Sequence, residues 1–386
     1  MRVGINLLWL KPKAIGGVEI FVKNLLRGFD ELSPDMEFVV FVNRTALDYV
    51  KSWRISDRYQ LVVKDVDPFN VFRALVYQRL HMKKLCTKYR IDLLFHPTPI
   101  YPIGRIRNVK QVVTIHDLQF LHYPQYATKL QKLKYLYSWK KCLQHADKVI
   151  AISNFTKQDI LNNFHVKEDK ITVIHNPVVL PETPADFSEI SKRLGVEKKE
   201  YFYTISSLLP HKNTEALIQL MRLIEQEKPP AVPNKLIISG IGKLQGTRIE
   251  RMINEFGLSD RIIFTGFVSD EEKRALLENC YCFLFPSLFE GFGMPPVEAL
   301  MLNVPVVTTK AGAIEETTMG LAIYVDNPTD EREWLEKIVH EVPRFSAAGA
   351  NHLKDKYDFK NVSERYVSEF YELISLDKGT HQQKEG

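Results

Sequence analysis

The segment FEGFGMPPVEALM, residues 289–301, sets two carboxylates, Glu290 and Glu298, around two glycines and a pair of prolines. It follows YCFLF (281–285), an apolar run of strand length, and the turn-forming Pro286 and Ser287. Glu290 is therefore expected in a loop at a strand's carboxyl end. Gly291 and Gly293 let a ligand approach the backbone closely. Pro295 and Pro296 suit the start of a helix and nothing deeper, which puts Glu298 in the first helical turn. Strand, loop and helix in that order describe one unit of an open α/β sheet, whose ligands bind beyond the carboxyl ends of the strands. Free N–H groups between the acids would suit a phosphate, and a carboxylate accepts two hydrogen bonds from a vicinal diol such as a ribose. The plain alternative is that Glu298 only complements its own helix dipole.

Working outward, the same alternation fills the chain. The first half predicts strands at 2–8, 37–42, 92–95, 111–115, 148–152 and 171–174, with helical patterns at 18–29, 71–89 and 128–145. The second half predicts strands at 201–206, 235–239, 261–264, 281–285, 305–309 and 322–325. Ser269 with Glu272 reads as a capping box, and Asn327-Pro328 as N-cap and first helical position. Alternating strands and helices indicate βαβ units and parallel sheets. Pro177, Pro181 and Pro184 mark an extended linker, so a domain boundary falls near 176–190.

The 386 residues suffice for two such domains. MRVGINLLWL is too short to span a membrane and lacks a small-residue cleavage site, and no later run reaches about 18 apolar residues. The expected location is the cytoplasm, with a peripheral site on the inner membrane face. Cys86, Cys142, Cys280 and Cys282 lack zinc spacing and read as reduced thiols; Cys280 and Cys282 are expected on one face of a strand. Net charge is +5, but residues 51–150 alone carry +13 while the chain beyond 190 carries −5. An anionic partner for the first half follows, such as an anionic membrane surface. No familiar nucleic-acid motif is present. In YATKLQKLKYLYSWKK (126–141), Tyr and Lys interleave at helical spacing, which fits either a core-packed helix or one resting on lipid.

Other candidate elements sit where strands end. In ISSLLPHKN (205–213), Ser207 and Lys212 precede a helix, and Lys212 could meet a diphosphate there. His116 and Asp117 follow the strand VVTI; an imidazole there could donate a hydrogen bond or handle a proton, or be structural. Gly16-Gly17 separates the first strand from the first helix without a dinucleotide fingerprint. In AGAIEET (311–317), Gly312, Ala313 and Ile314 could offer N–H groups to a sugar, while Glu315 and Glu316 read as helix-start acids. Asp65 and Asp67 match a D-x-D metal motif, but Pro68 makes them part of a strand-ending turn. No metal and no cofactor are expected.

Together, GGVE, IHD, LLPHKN, FEGFGMPPVEAL and NVPVVTT resemble the retaining glycosyltransferases of family 4 over nearly the whole chain. The resemblance implies the GT-B fold: α/β, two Rossmann-like doubly wound domains facing across a cleft. It implies an acceptor-binding domain at 1–178, a nucleotide-sugar domain at 179–360, a helix at 361–376 packing back on the first domain, and a disordered tail at 377–386. It implies that Glu290 contacts the donor sugar, Glu298 the ribose, and N–H groups of Gly291, Phe292, Gly293 and Met294 the diphosphate, with Ser207 and Lys212. His116 would lie by the donor sugar, and Gly16 and Gly17 by the diphosphate and the acceptor. Ser206 and His211 depart from the Gly and Arg often found there, which removes an arginine from phosphate neutralisation. The implied reaction moves a hexose, of the mannose or rhamnose class, from a GDP, dTDP or UDP sugar to a saccharide or polyprenyl-diphosphate-linked acceptor in cell-surface polysaccharide synthesis, without metal. The alternatives are a nucleotide-sugar epimerase of the same fold and a non-catalytic sugar-nucleotide-binding protein.

Overall fold

A computed structural model describes residues 1–12, 16–32, 35–99, 104–126, 128–346 and 348–382. The chain divides into two compact units, Met1–Pro177 with the segment from Tyr357 onward, and Val178–Lys356.

The first unit is a seven-stranded parallel sheet. Its strands are β1 (Arg2–Leu7), β2 (Glu37–Asn43), β3 (Tyr59–Lys64), β4 (Leu93–His96), β5 (Lys110–Ile115), β6 (Lys148–Ala151) and β7 (Ile171–Val173), in the order β3-β2-β1-β4-β5-β6-β7. The crossovers carry α1 (Gly17–Leu32), α2 (Leu47–Ser52), α3 (Val71–Lys88), α4 (Gln119–His122), α5 (Lys129–His145) and α6 (Asn154–Asn163). Helices on both faces explain why β2 is buried at every position after Glu37 and reads as a continuous apolar run. On one face Phe38, Val40 and Phe95 pack with Leu25 and Phe29 of α1. On the other, Val39, Phe41 and Leu94 pack with Ala74, Met82 and Leu85 of α3. Register carries that second face from His96 to Val113 and on to Val149, and Val113 and Val149 pack with Leu143 of α5. Thus α3 and α5 cover the same side of the sheet, as right-handed crossovers stepping the same way require.

The second unit is a six-stranded parallel sheet in the order β10-β9-β8-β11-β12-β13. It comprises α7 (Phe187–Leu194), β8 (Phe202–Ile205), α8 (Thr214–Glu227), β9 (Leu236–Ser239), α9 (Arg248–Glu255), β10 (Ile262–Gly266), α10 (Asp270–Asn279), β11 (Phe283–Phe285), α11 (Met294–Met301), β12 (Val306–Thr309), α12 (Ile314–Thr317), β13 (Ile323–Val325), α13 (Glu331–His340) and α14 (Ala350–Lys356). The order reverses between β8 and β11, which creates a switch point at their carboxyl ends.

The last helix, α15 (Phe359–Gln382), belongs to the first unit and lies on α1. Gly28 of α1 makes this close approach possible, since a Cβ there would overlap the side chain of Ser363. Tyr366 and Phe370 enter the core beside Phe29, Phe38 and Phe95. The Tyr366 hydroxyl lies 3.1 Å from Thr114 Oγ1, and Arg365 donates to the Val173 carbonyl at 2.6 Å.

Several expectations are corrected. Strand β3 was not anticipated, because YQLVVK lies at the sheet edge with Gln60 exposed and its apolar signal is diluted; pairing with β2 fixes it. The helix α13 starts at Glu331 with Asp330 as N-cap, not at Asn327-Pro328. Asn327 Oδ1 instead accepts from the Thr329 N–H in a local Asx turn. The final helix runs to Gln382 rather than ending at 376, since nothing after Phe359 removes a backbone donor; residues 383–386 lie outside the described residues. Cys280 and Cys282 both precede β11 rather than lying on it. Both are buried and free, and burial pushes the Cys280 thiol up to about 12. Ser269 caps α10 as expected, accepting from the Glu272 N–H at 3.1 Å.

Candidate active site

In the second unit, two acids from the 289–301 segment are each held by a lysine from elsewhere in the chain. The loop after β11 carries Glu290, and the loop after β8 carries Lys212; Lys212 Nζ lies 2.6 Å from Glu290 Oε1. The Lys212 ammonium also stands 5.6 Å from the centre of the Phe285 ring. Glu298 is buried in α11, and Lys273 of α10 reaches its Oε1 at 2.8 Å and Asp270 at 3.4 Å. Burial alone would lower the Lys273 pKa; the carboxylates of Glu298 and Asp270 more than reverse this and leave it raised.

The local conformation explains the sequence. Gly293 is the left-handed N-cap of α11 at φ +80°, a conformation that side-chain-bearing residues resist. Helix α11 then begins at Met294, so Glu298 is its fifth residue and falls outside the first turn, contrary to expectation. A role limited to its own helix dipole is thereby disfavoured, since that effect fades beyond the first turn. Pro295 and Pro296 have no N–H, so the donors at this helix start are confined to the neighbourhood of Gly293 and Met294. Phe292 is buried, and its carbonyl accepts from Thr317 Oγ1 at 2.6 Å.

The 311–317 segment braces this loop, and two of its amides are engaged within the protein. The Ala313 N–H donates to the Glu290 carbonyl at 2.9 Å, and the Ile314 N–H to the Ala311 carbonyl at 3.4 Å. The expected donation from Ala313 and Ile314 to a sugar is therefore unavailable. Gly312, at φ +65°, rests so closely on the Glu290 backbone that any Cβ would overlap it. Glu315 and Glu316 occupy the first turn of α12, as helix-start acids. Around β8, Ser206 is buried and lies 2.5 Å from Thr214 Oγ1, while Ser207 Oγ accepts from the Leu209 N–H at 3.4 Å. His211 is buried, and burial together with the Lys212 charge holds its pKa down at about 4. It is neutral near pH 7, so Lys212 is the cation of this loop.

In the first unit, a cavity of about 460 Å³ opens between the start of α1 and the start of α3, bordered by Gly16, Gly17, Glu19, Trp9, Leu75 and Gln78. A Cβ on Gly17 would meet nothing within 4 Å, so the glycine leaves room for a ligand. Glu19 is buried, burial raises its pKa, and the Tyr49 hydroxyl donates to it at 3.3 Å. His116 follows β5 and packs edge-on against Phe21. Its Nε2 lies 2.7 Å from the Pro97 carbonyl, which can only accept; Nε2 therefore carries the proton and Nδ1 is the acceptor. Burial lowers its pKa to about 4. The expected hydrogen-bond donation by His116 is thus already engaged with Pro97, and proton acceptance at Nδ1 is what the neutral ring offers. Asp117 Oδ1 accepts from the Gln119 N–H at 3.0 Å.

The D-x-D pair serves local structure. Asp65 is bound by the Arg44 guanidinium, which lowers its pKa, and Asp67 Oδ1 accepts from the Phe69 N–H at 2.9 Å. Among the described residues, no cluster of three metal-ligating side chains occurs.

Two family models tile the chain. "Glycosyltransferase Family 4" matches residues 15–181 and "Glycosyl transferases group 1" matches 186–338. The chain belongs to the family 4 glycosyltransferases. The O-antigen chain mannosyltransferase RfbU of Salmonella typhimurium is 29% identical over 69% of this chain and 70% of its own. The O-antigen chain mannosyltransferase B of Escherichia coli is 26% identical over 66% and 67%. The crystal structure of Anabaena HepE in complex with UDP and glucose has a TM-score of 0.74 at 20% identity, covering 96% of this chain and 100% of that one. That likeness establishes the fold as GT-B.

Sequence reasoning missed two side chains of this glycosyltransferase. Lys273 looked like an ordinary surface lysine of a charged helix, DEEKRALLEN. Its signal was the spacing: three and four residues before buried Leu276 and Leu277, it lies on the inward side of α10. Glu19 was part of the quoted GGVE but received no role, because its burial depends on Tyr49 and the α1 environment.

Proposed function

We propose that this glycosyltransferase moves a hexose from a nucleotide-diphosphate sugar to a glycan or lipid-linked acceptor, with retention of configuration and without a metal ion. The observation that carries this reading is the paired arrangement of Lys212 with Glu290 and Lys273 with Glu298 beside the switch point of the second unit. Glu298 accepts hydrogen bonds from the ribose diol, and Lys273 pairs with its other side. Glu290 accepts from hydroxyls of the transferred sugar. Lys212, a point charge able to shift from Glu290, meets the diphosphate as negative charge develops on it, aided by N–H groups around Gly293 and Met294. The acceptor hydroxyl forms its bond to the anomeric carbon on the face the diphosphate leaves; the C–O bond electrons depart with the diphosphate, which takes up the hydroxyl proton. This front-side course needs no enzyme nucleophile. The names of the O-antigen mannosyltransferase relatives favour a mannose donor and polysaccharide synthesis. The first unit, with Gly16, Gly17 and His116 near its cavity, receives the acceptor.

The test is release of nucleoside diphosphate from GDP-mannose, UDP-glucose and dTDP-rhamnose, with and without saccharide and polyprenyl-diphosphate-linked acceptors, in excess chelator. Anomeric configuration of the product is read by NMR. Acceptor-dependent release with a retained anomeric centre is expected. An inverted product, an epimerised free nucleotide sugar, or manganese-dependent transfer would each overturn the corresponding part.

A further inference from the structure

The first-unit cavity has mostly apolar walls, yet two polar side chains on it are almost completely buried: Glu19 at 4% exposure and Gln78 at 2%. Each keeps hydrogen-bonding capacity unspent. The Glu19 carboxylate takes the Tyr49 hydroxyl on Oε2, and among the described residues nothing meets its Oε1. Gln78 is oriented by a relay through Asn6 of β1. The Leu8 N–H occupies Asn6 Oδ1 at 3.2 Å, which turns the Asn6 amide nitrogen toward Gln78 and His96. That nitrogen donates to Gln78 Oε1 at 2.9 Å and to His96 Nδ1 at 3.3 Å. Burial holds the His96 pKa down at about 4, so near pH 7 the ring is neutral and Nδ1 accepts. The Gln78 carbonyl is therefore committed. Its amide nitrogen, without a partner among the described residues, is the donor left over.

A buried polar group left unmatched is destabilising, so a spare acceptor and a spare donor on one cavity call for a ligand that supplies both. A hydroxyl does so, donating to Glu19 and accepting from Gln78. The apolar walls narrow the class further. Trp9, Pro68, Val71 and Leu75 border the same space, and the Trp9 indole N–H is spent on the Asn6 carbonyl at 2.9 Å, which leaves the ring's carbon surface for packing. At about 460 Å³ the cavity falls within the roughly 300–1,000 Å³ of small-molecule sites. A sugar ring meets these demands together, with hydroxyls that donate and accept and C–H groups that pack on an indole. We propose that Glu19 and Gln78 hold hydroxyls of the acceptor sugar, with Trp9 against its C–H face, and that this pair selects which saccharide is glycosylated. The selected unit is a neutral sugar, because a carboxylate or phosphate on it would meet the Glu19 carboxylate. Lys11, the one cation among the described wall residues, has its ammonium over the Phe69 ring at 5.7 Å. This role rests on the first unit being the acceptor domain.

The experiment measures binding of methyl glycosides of mannose, rhamnose, galactose, N-acetylglucosamine and glucuronic acid to the full chain without donor, by saturation-transfer NMR and calorimetry. At least one neutral glycoside should bind, and removing one particular hydroxyl, read with its monodeoxy analogues, should weaken binding at least about tenfold. Glu19→Gln keeps the side chain's shape, and Gln78→Glu keeps the oxygen that Asn6 needs. Each should weaken the parent glycoside at least about tenfold but bind the deoxy analogue lacking its partner hydroxyl as the wild type does. A merely structural role would weaken both ligands alike. In transfer, each variant should raise the acceptor KM more than it lowers kcat. Melting curves establish folding, and the deoxy series on the unmodified protein decides the matter even if a variant fails to fold. No binding of any neutral glycoside, preference for the glucuronide, or equal losses for parent and deoxy ligands would overturn the proposal. Glycoside binding is read without donor, so it can hold where transfer fails. Acceptor-dependent release of nucleoside diphosphate with no hydroxyl selectivity would keep the transfer reading and sink this one.

Discussion

Replacing Lys273 with Met removes the cation that faces a buried acid. The Glu298 side chain is 4% exposed and that of Lys273 13%. Breaking a buried pair by deleting one partner costs about 3–5 kcal/mol, because the remaining charge is uncompensated. The acid has one escape, which is to bind a proton. For a carboxyl with an ordinary pKa of about 4.3, protonation at pH 7 costs about 1.36 × 2.7, or roughly 3.7 kcal/mol, and at pH 5 only about 1 kcal/mol. The variant should therefore lose about 3–4 kcal/mol at pH 7, or roughly 6–16 °C in the melting temperature of the second unit, and much less at pH 5. The sign follows from linkage: a buried carboxyl with no cation beside it prefers its neutral form, so the folded variant takes up a proton that the unfolded chain does not, and acidification favours the folded variant at this site. Adding Glu298→Gln to Lys273→Met should restore most of the stability but not nucleotide affinity, which on the proposed reading needs the carboxylate. Urea denaturation at both pH values, followed by circular dichroism and by fluorescence of Trp334, which is buried in the second unit's core, reads the stability; nucleoside diphosphate titration reads the affinity. A Lys273→Met protein as stable as wild type at pH 7, or equally destabilised at both pH values, would refute the reasoning.

Glu290→Ala should reduce kcat more than nucleotide affinity, and Lys212→Ala should weaken nucleoside diphosphate binding by about 1.5–3 kcal/mol, the range of charged hydrogen bonds; matching steady-state kinetics with diphosphate titration checks both. Gly312→Ala should destabilise the second unit by at least about 1 kcal/mol, from its positive φ and its overlap with the Glu290 backbone, and should slow turnover; an unchanged urea midpoint would count against the bracing role. Stability should fall on acidification through the window from about 6.5, the ordinary histidine value, to about 4, where His96 and His116 sit in the folded first unit. Their folded pKa values are depressed, so protons bind the unfolded chain first and each contributes about 3 kcal/mol of loss over the window. Urea midpoints at pH 7, 5.5 and 4.5 measure it, and His96→Gln should flatten the curve if the fold is retained.

The sequence by itself determined the architecture. Parallel sheets buried on both faces require apolar runs, and these runs stand out between amphipathic helices, so twelve of the thirteen strands among the described residues were legible. Only β3 escaped, because an edge strand needs no uninterrupted apolar run and its identity comes from pairing with β2. The 289–301 segment was also legible, because glycines and prolines have local conformational meaning: Gly293 marks a left-handed position and the prolines mark a helix start. Tertiary structure decided what each polar group does. The Lys273–Glu298 pair spans 25 residues and Lys212–Glu290 spans 78, distances over which no periodicity speaks. Likewise only the fold commits the Ala313 N–H to the Glu290 carbonyl and the His116 Nε2–H to Pro97. Apolar burial follows a local pattern that repeats along the chain, whereas a hydrogen bond or ion pair depends on a single partner within about 3 Å, and folding alone selects that partner.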